Sequence, residues 1–268
     1  MTSDKTFWGH LDVVRGVIVR CLIVVSALAC TAFFYKDFIF SNIIFAPSRP
    51  DFITFDFLRK LADLTGIGAL NTEIKPVKLI NTELAAQLFT HLSVSFYAGI
   101  TLAVPWITAE LWIFIRPALK PAERKAAIKA VLWAVLLFFI GVMFAWIVIL
   151  PLSINFLADY HVDSQVENLI SLSSYIDTFV SLVPACGLLF ELPAITWFLA
   201  KIGLLKYKTM KKWRKHAFVV SLVVAAIITP STDAFTMFLV AMPMQILFEA
   251  GLLIVKRINK PIESDIEH

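Results

Sequence analysis

Glu191 stands inside a long apolar run, in Leu188-Leu189-Phe190-Glu191-Leu192-Pro193. A carboxyl group at that depth of a bilayer costs about 2.5–3.5 kcal/mol on insertion scales, so it must face a cavity, a partner or another polar group. It reads either as a functional intramembrane acid or as a protonated acid hydrogen-bonded within a helix bundle. Pro193, two residues on, removes a backbone donor and predicts a kink beside it. Glu110 closes another apolar run, just before Trp112 and Phe114. Glu123 follows among Arg116, Lys120, Arg124, Lys125 and Lys129, where composition alone makes it a solvated charge paired with Arg124 or Lys125 and worth little. His91 suits a hydrogen bond between helices, with a proton relay as the weaker alternative. Asp177 reads as an interfacial cap, and Glu249 as an acid snorkelling toward Lys256-Arg257.

Other chemistries are disfavoured. None of the 9 glycines is followed by x-Ser, so a nucleophile elbow is unsupported. A P-loop and an HExxH helix are missing too. Cys21, Cys30 and Cys186 lie within apolar runs at spacings that suit neither a disulfide framework nor a metal, and read as small hydrophobes. The expectation is therefore a non-enzyme without metal or cofactor.

The elements that must position these acids are membrane helices. Of the 268 residues, 59% are hydrophobic and 16% charged, below the roughly 25% charged of soluble domains. A helix needs about 20 apolar residues to cross the hydrocarbon core. That length predicts six spans, at about 21–40, 88–109, 130–150, 174–199, 216–228 and 235–255, the third ending at Pro151. The fifth run is short for a span. Ser26-Ala27-Leu28-Ala29-Cys30 faintly resembles a lipoprotein cleavage box, but the apolar run continues past it, so the first span is expected to remain.

Charge sets the orientation. The N-terminal segment, the 2–3 loop, the 4–5 loop and the C-terminal segment hold 18 of the 24 Lys and Arg residues; the first outer loop holds the other 6. The positive-inside rule then puts both termini in the cytoplasm. The net charge of +4 is thus no sign of nucleic acid. In the long outer loop, Asp56 to Leu64 has the spacing of a short amphipathic helix at the interface or capping the bundle. With the stretch around Leu157 to Leu172 it forms either a structured outer cap or ordinary loops.

Several segments together resemble one family across about residues 7–257. They are Phe7-x-x-His10-Leu11, Ala46-Pro47, and Pro105 through Leu111-Trp112-x-Phe114-Ile115-x-Pro117-Ala118-Leu119 with Glu123-Arg124. Ser174-Tyr175-Ile176, Phe190-Glu191-Leu192-Pro193, Ile228-Thr229-Pro230-Ser231-Thr232-Asp233 and Pro243-Met244-x-x-Leu247-Phe248-Glu249-x-Gly251 complete the set. Each is weak alone; their joint order is specific. The chain is similar to TatC, the multispanning subunit of the Sec-independent twin-arginine protein translocase.

The resemblance implies an all-α membrane protein of six transmembrane helices in a concave, cup-like bundle, with short fifth and sixth helices. It would sit in the bacterial cytoplasmic (inner) membrane. It would bind twin-arginine signal peptides of folded cargo and nucleate their export with single-span TatA/TatB-type subunits, driven by the proton motive force, in a receptor complex holding several copies. Signal recognition would map to His10, Leu11, Asp12, Arg15, Glu110, Phe114 and Glu123. A carboxylate at Glu123 suits the planar fork of a guanidinium, so on this reading it is more than a loop charge. Glu191 would be the buried acid that dents the bilayer. Pro47, Pro230, Asp233, Pro243 and Glu249 would shape the bundle and its partner contacts. Two departures stand out: Val13 occupies the place of a family Glu, with Asp12 one residue and about 100° of helix away, and Glu110 replaces a family Gln. The competing reading is a proton-coupled solute transporter carried by Glu191, which lacks the expected internal repeat.

Overall fold

The computed structural model describes residues 3–65, 78–115, 121–161, 163, 168–230 and 233–264, with side chains at all of these except 3–11, 61, 65, 115, 121–127, 129–130 and 260–264. In lipid, backbone donors and acceptors must be satisfied within the chain, which leaves helices as the spanning form for such a sequence. Among the described residues, five helical stretches are long and apolar enough to cross alone: Asp12–Phe34, Ala86–Phe114, Val131–Asp159, Leu172–Lys201 and Ala234–Asn259. The first lies in helix α1 (Ser3–Phe34) and the second in α4 (Ala86–Ile115). A sixth pass is α10 (Arg214–Ile228), 15 residues long, which follows the six-residue helix α9 (Tyr207–Lys212). At 1.5 Å per residue it covers about 22 Å, short of a hydrocarbon core of about 30 Å. Its partner α11 (Ala234–Ser264) has 31 residues, so shortness belongs to the fifth pass and not to the sixth.

The third pass does not stop at Pro151. Helix α5 (Pro121–Phe144) runs into a π-turn at Ala145–Ile149 and on through α6 (Leu150–Asp159). Proline is tolerated in the first turn of a helical segment, and the widened π-turn ahead of it relaxes the ring's clash with the preceding turn. The fourth pass divides as expected from Pro193. Helix α7 (Leu172–Phe190) ends and α8 (Leu192–Lys201) begins around Glu191, with Pro193 in the first turn of α8. Ser171, not Asp177, caps α7: its hydroxyl accepts from the Ser174 amide at 3.2 Å, while Asp177 is exposed one turn further in.

The described parts of the outer loops form a built cap. After α2 (Lys36–Ile39) the chain turns through Phe40–Ile44 and a 3-10 turn at Ala46–Ser48 that buries Pro47. Helix α3 (Ile53–Thr65) then buries Phe55 and Ala62 and turns Asp56, Lys60 and Asp63 outward, the amphipathic split that its spacing predicts, while Phe57 and Leu64 remain as exposed apolar residues. The Thr54 hydroxyl donates to the Ile147 carbonyl, Trp146 Nε1 donates to that of Ile43 at 2.8 Å, and the Tyr175 hydroxyl donates to that of Ile44 at 2.5 Å. A parallel pair of two-residue strands, β1 (Leu79–Ile80) and β2 (Ile170–Ser171), ties the two outer loops together. Helix α7 is the central post of the bundle, with Ile176 and Leu182 fully buried among α4, α5 and the cap.

Candidate functional site

Two antiparallel helices, α1 and α4, form the wall that carries most of the candidate residues. Their backbones meet closely: a Cβ at Gly99 would stand 2.7 Å from the Ala29 backbone nitrogen, so only glycine fits. Toward the cap, the ring of His91 stacks on Phe33 at 4.1 Å and its Nε2–H donates to the Phe33 carbonyl at 3.1 Å. This is the interhelical bond expected of His91.

At the other, basic end of the same wall, Arg20 and Glu110 pair. Arg20 Nε meets Glu110 Oε1 and Nη2 meets Oε2, each at 2.8 Å. The Glu110 side chain is 7% exposed and that of Arg20 is 50% exposed. Residue 20 is the last charge before the first apolar run, and residue 110 the acid at the end of the second. Antiparallel packing of two runs of like length brings such bounding charges level. That rule could have predicted the pair; Arg20 registers in the sequence only as one more base in the orientation count.

Phe114 lies four residues after Glu110, on the same α4 face, and is exposed. Asp12 and Arg15 are exposed on α1, three residues apart, and the helix runs through them unbroken from Ser3. Val13, between them, is 53% exposed. His10 and Leu11 lie in α1 and Glu123 in the first turn of α5; their side chains fall outside the described residues.

Between α1, α4, α5 and α7 opens a groove of about 610 Å³, lined by Leu28, Ile39, Val94, Met143, Phe179 and other apolar residues. The hydroxyls of Thr31 and Thr101 on its walls turn back onto the carbonyls of Ala27 and Tyr97. The surface offered is hydrocarbon. Glu191 is half-buried at the α7–α8 break, where its amide bonds to the Leu188 carbonyl at 3.1 Å. Among the described residues its carboxyl has no hydrogen-bond or ion-pair partner.

The hairpin α10–α11 carries a second ion pair, Arg214 Nε to Glu249 Oε1 at 2.7 Å. Glu249 thus turns to α10 and not toward Lys256-Arg257. Asp233 caps α11 by accepting from the Thr236 amide at 2.7 Å; Pro230 is exposed in the turn before it, and Pro243 lies within α11. Arg214 is another residue that only its cross-helix geometry singles out. The described residues contain no group of His, Cys, Asp and Glu able to hold a metal, and all three cysteines are free.

The family model for the Sec-independent protein translocase protein (TatC) matches residues 9–243. The chain belongs to the TatC family. A TatC of Blattabacterium sp. subsp. Periplaneta americana is 30% identical over 265 residues, covering 96% of this chain and 97% of the relative. That of Deinococcus radiodurans is 33% identical over 218 residues, 80% of each chain. A crystal structure of the twin-arginine translocase receptor TatC superposes with TM-score 0.72 at 27% identity, over 94% of this chain and 100% of that one. This TatC family member is accordingly a multi-pass, six-helix membrane protein of twin-arginine protein transport. The matched range includes the Arg20–Glu110 pair, Phe114, Glu123 and Glu191, and ends at Pro243, before Glu249.

Proposed function

We propose that this TatC binds the twin-arginine signal peptides of folded cargo at the basic end of the α1–α4 wall and the start of α5. It lies in the bacterial cytoplasmic membrane with both termini inside. The observation that carries the reading is an acidic inlay in a basic face. Glu110 and exposed Phe114 share one face of α4, and Glu123 follows in the first turn of α5, among bases that would otherwise repel an arginine pair. Asp12, Arg15, His10 and Leu11, on the opening turns of α1, would flank the peptide. The apolar groove and the half-buried Glu191 suit the next step, in which hydrophobic peptide enters a locally weakened bilayer. Single-span TatA/TatB-type subunits would pack on α10 and α11, copies of this chain would assemble in the receptor, and the proton motive force would drive export.

The test is photocrosslinking of a synthetic signal peptide to the protein in proteoliposomes. Replacing the arginine pair by lysines is expected to cut crosslinking several-fold, since lysine cannot make the two-pronged contact. Glu123→Ala is expected to do the same. Equal crosslinking in all three arms would refute the recognition site.

A further inference from the structure

Glu110 already holds a guanidinium. Both carboxylate oxygens are engaged at 2.8 Å by two nitrogens of Arg20, the fork geometry by which carboxylates recognise arginine. The partners are unequal. Glu110 is buried on α4, whereas half of the Arg20 side chain is open to its surroundings. Arg20 reaches the acid by folding back over Gly16, where a Cβ would stand 3.4 Å from its Nη1. The guanidinium is thus drawn one turn toward the basic end of α1. A half-exposed guanidinium does not rest in hydrocarbon, so this level of the wall is interfacial and open to water. The Arg214–Glu249 pair differs: its carboxylate is 33% exposed and one oxygen carries the contact.

We propose that Glu110 is a guanidinium-exchange site: Arg20 occupies it in the resting chain, and an arginine side chain of an incoming peptide displaces Arg20 and takes the same fork. This rests on the signal-receptor reading above and adds to it a built-in competitor. Exchange keeps the buried carboxylate paired throughout, so no step strands a buried charge, which is the costly outcome when one partner of such a pair is removed. The displaced Arg20 is already half in water and loses little by moving fully into it. Lysine, a point charge without the fork, displaces Arg20 less well. Arg20 therefore sharpens discrimination for arginine while lowering affinity for it. Exposed Phe114, one turn on along the same face, supplies an aromatic surface on which an arriving guanidinium can stack.

The experiment measures binding of a labelled twin-arginine signal peptide, and of its twin-lysine form, to the full-length protein in lipid nanodiscs. Arg20→Ala removes the competitor and is expected to tighten twin-arginine binding by at least roughly two- to fivefold, the worth of a fully solvent-screened ion pair, because the Glu110 carboxylate is more buried than in such a pair. Twin-lysine binding should gain less. The gain should vanish when Glu110→Gln is added to Arg20→Ala. Arg20→Lys retains a charge for Glu110 without the fork; it should give a smaller gain of the same sign, and it decides the matter if Arg20→Ala does not fold. Unchanged or weaker twin-arginine binding in the folded Arg20 variants, with wild type still preferring arginine to lysine, overturns the exchange and leaves the receptor reading intact. A wild type that binds both peptides alike overturns the receptor reading and the exchange with it.

Discussion

At the residue scale, two kinds of polar contact hold this bundle, and they differ in what their loss should cost. Tyr175 is buried, and its hydroxyl donates to the Ile44 carbonyl at 2.5 Å beneath the cap. Tyr175→Phe strands that carbonyl away from water and should destabilise the fold by about 1–3 kcal/mol, read as a lowered unfolding temperature in detergent. Arg214 and Glu249 are both substantially exposed. Glu249→Gln should change stability by no more than about 1 kcal/mol; a larger drop in the same assay would show that the pair is structurally required. The sequence made Glu110, Glu191 and Glu249 conspicuous, because an acid beside or within an apolar run is itself anomalous. It did not make their partners conspicuous. Arg20 and Arg214 lie 90 and 35 residues away from theirs, and only helix packing selects them from 24 basic residues.

At the scale of elements, legibility follows locality. Amphipathic α3, the break around Glu191 and the shortness of α10 are written in contiguous residues, through spacing, proline position and apolar length. The β1–β2 pair is not, because two-residue strands 91 positions apart, Leu79 opposite Ile170, carry no local signature. Pro151 misleads for a physical reason: a proline stops a regular α-helix, but the π-turn that admits it leaves no clear mark in Ala145–Ile149. Gly99 is the point where element packing can be tested. Its missing Cβ lets α4 lie against the α1 backbone at Ala29. Gly99→Leu should force the helices apart and cost about 1–3 kcal/mol or more by overpacking. The same displacement should loosen the His91–Phe33 and Arg20–Glu110 contacts at either end of the wall. Reduced crosslinking between cysteines introduced at Phe33 and His91 reports it; unchanged crosslinking would mean the wall tolerates the side chain.

At the scale of the whole molecule, the uneven charge and the uneven helix lengths make one joint prediction about the membrane. Basic residues gather at one end of the bundle, which the positive-inside rule assigns to the cytoplasm. Helix α10 reaches from Arg214 at that end to Ile228, yet at 1.5 Å per residue it spans only about 22 Å of a core of about 30 Å. If both ends of α10 touch water, the bilayer around it is thinner by roughly 8 Å. If one end lies in hydrocarbon, Pro230 sits out of reach of aqueous reagents. In a background lacking Cys21, Cys30 and Cys186, single cysteines at positions 212 and 230, both exposed in the fold, separate the cases. An impermeant maleimide should label position 212 only from the cytoplasmic face and position 230 only from the opposite face, in sealed vesicles of each orientation. Labelling of position 230 only after detergent would place the hairpin within an unthinned bilayer, and the short fifth helix could then no longer be a point where the membrane is weakened for passage.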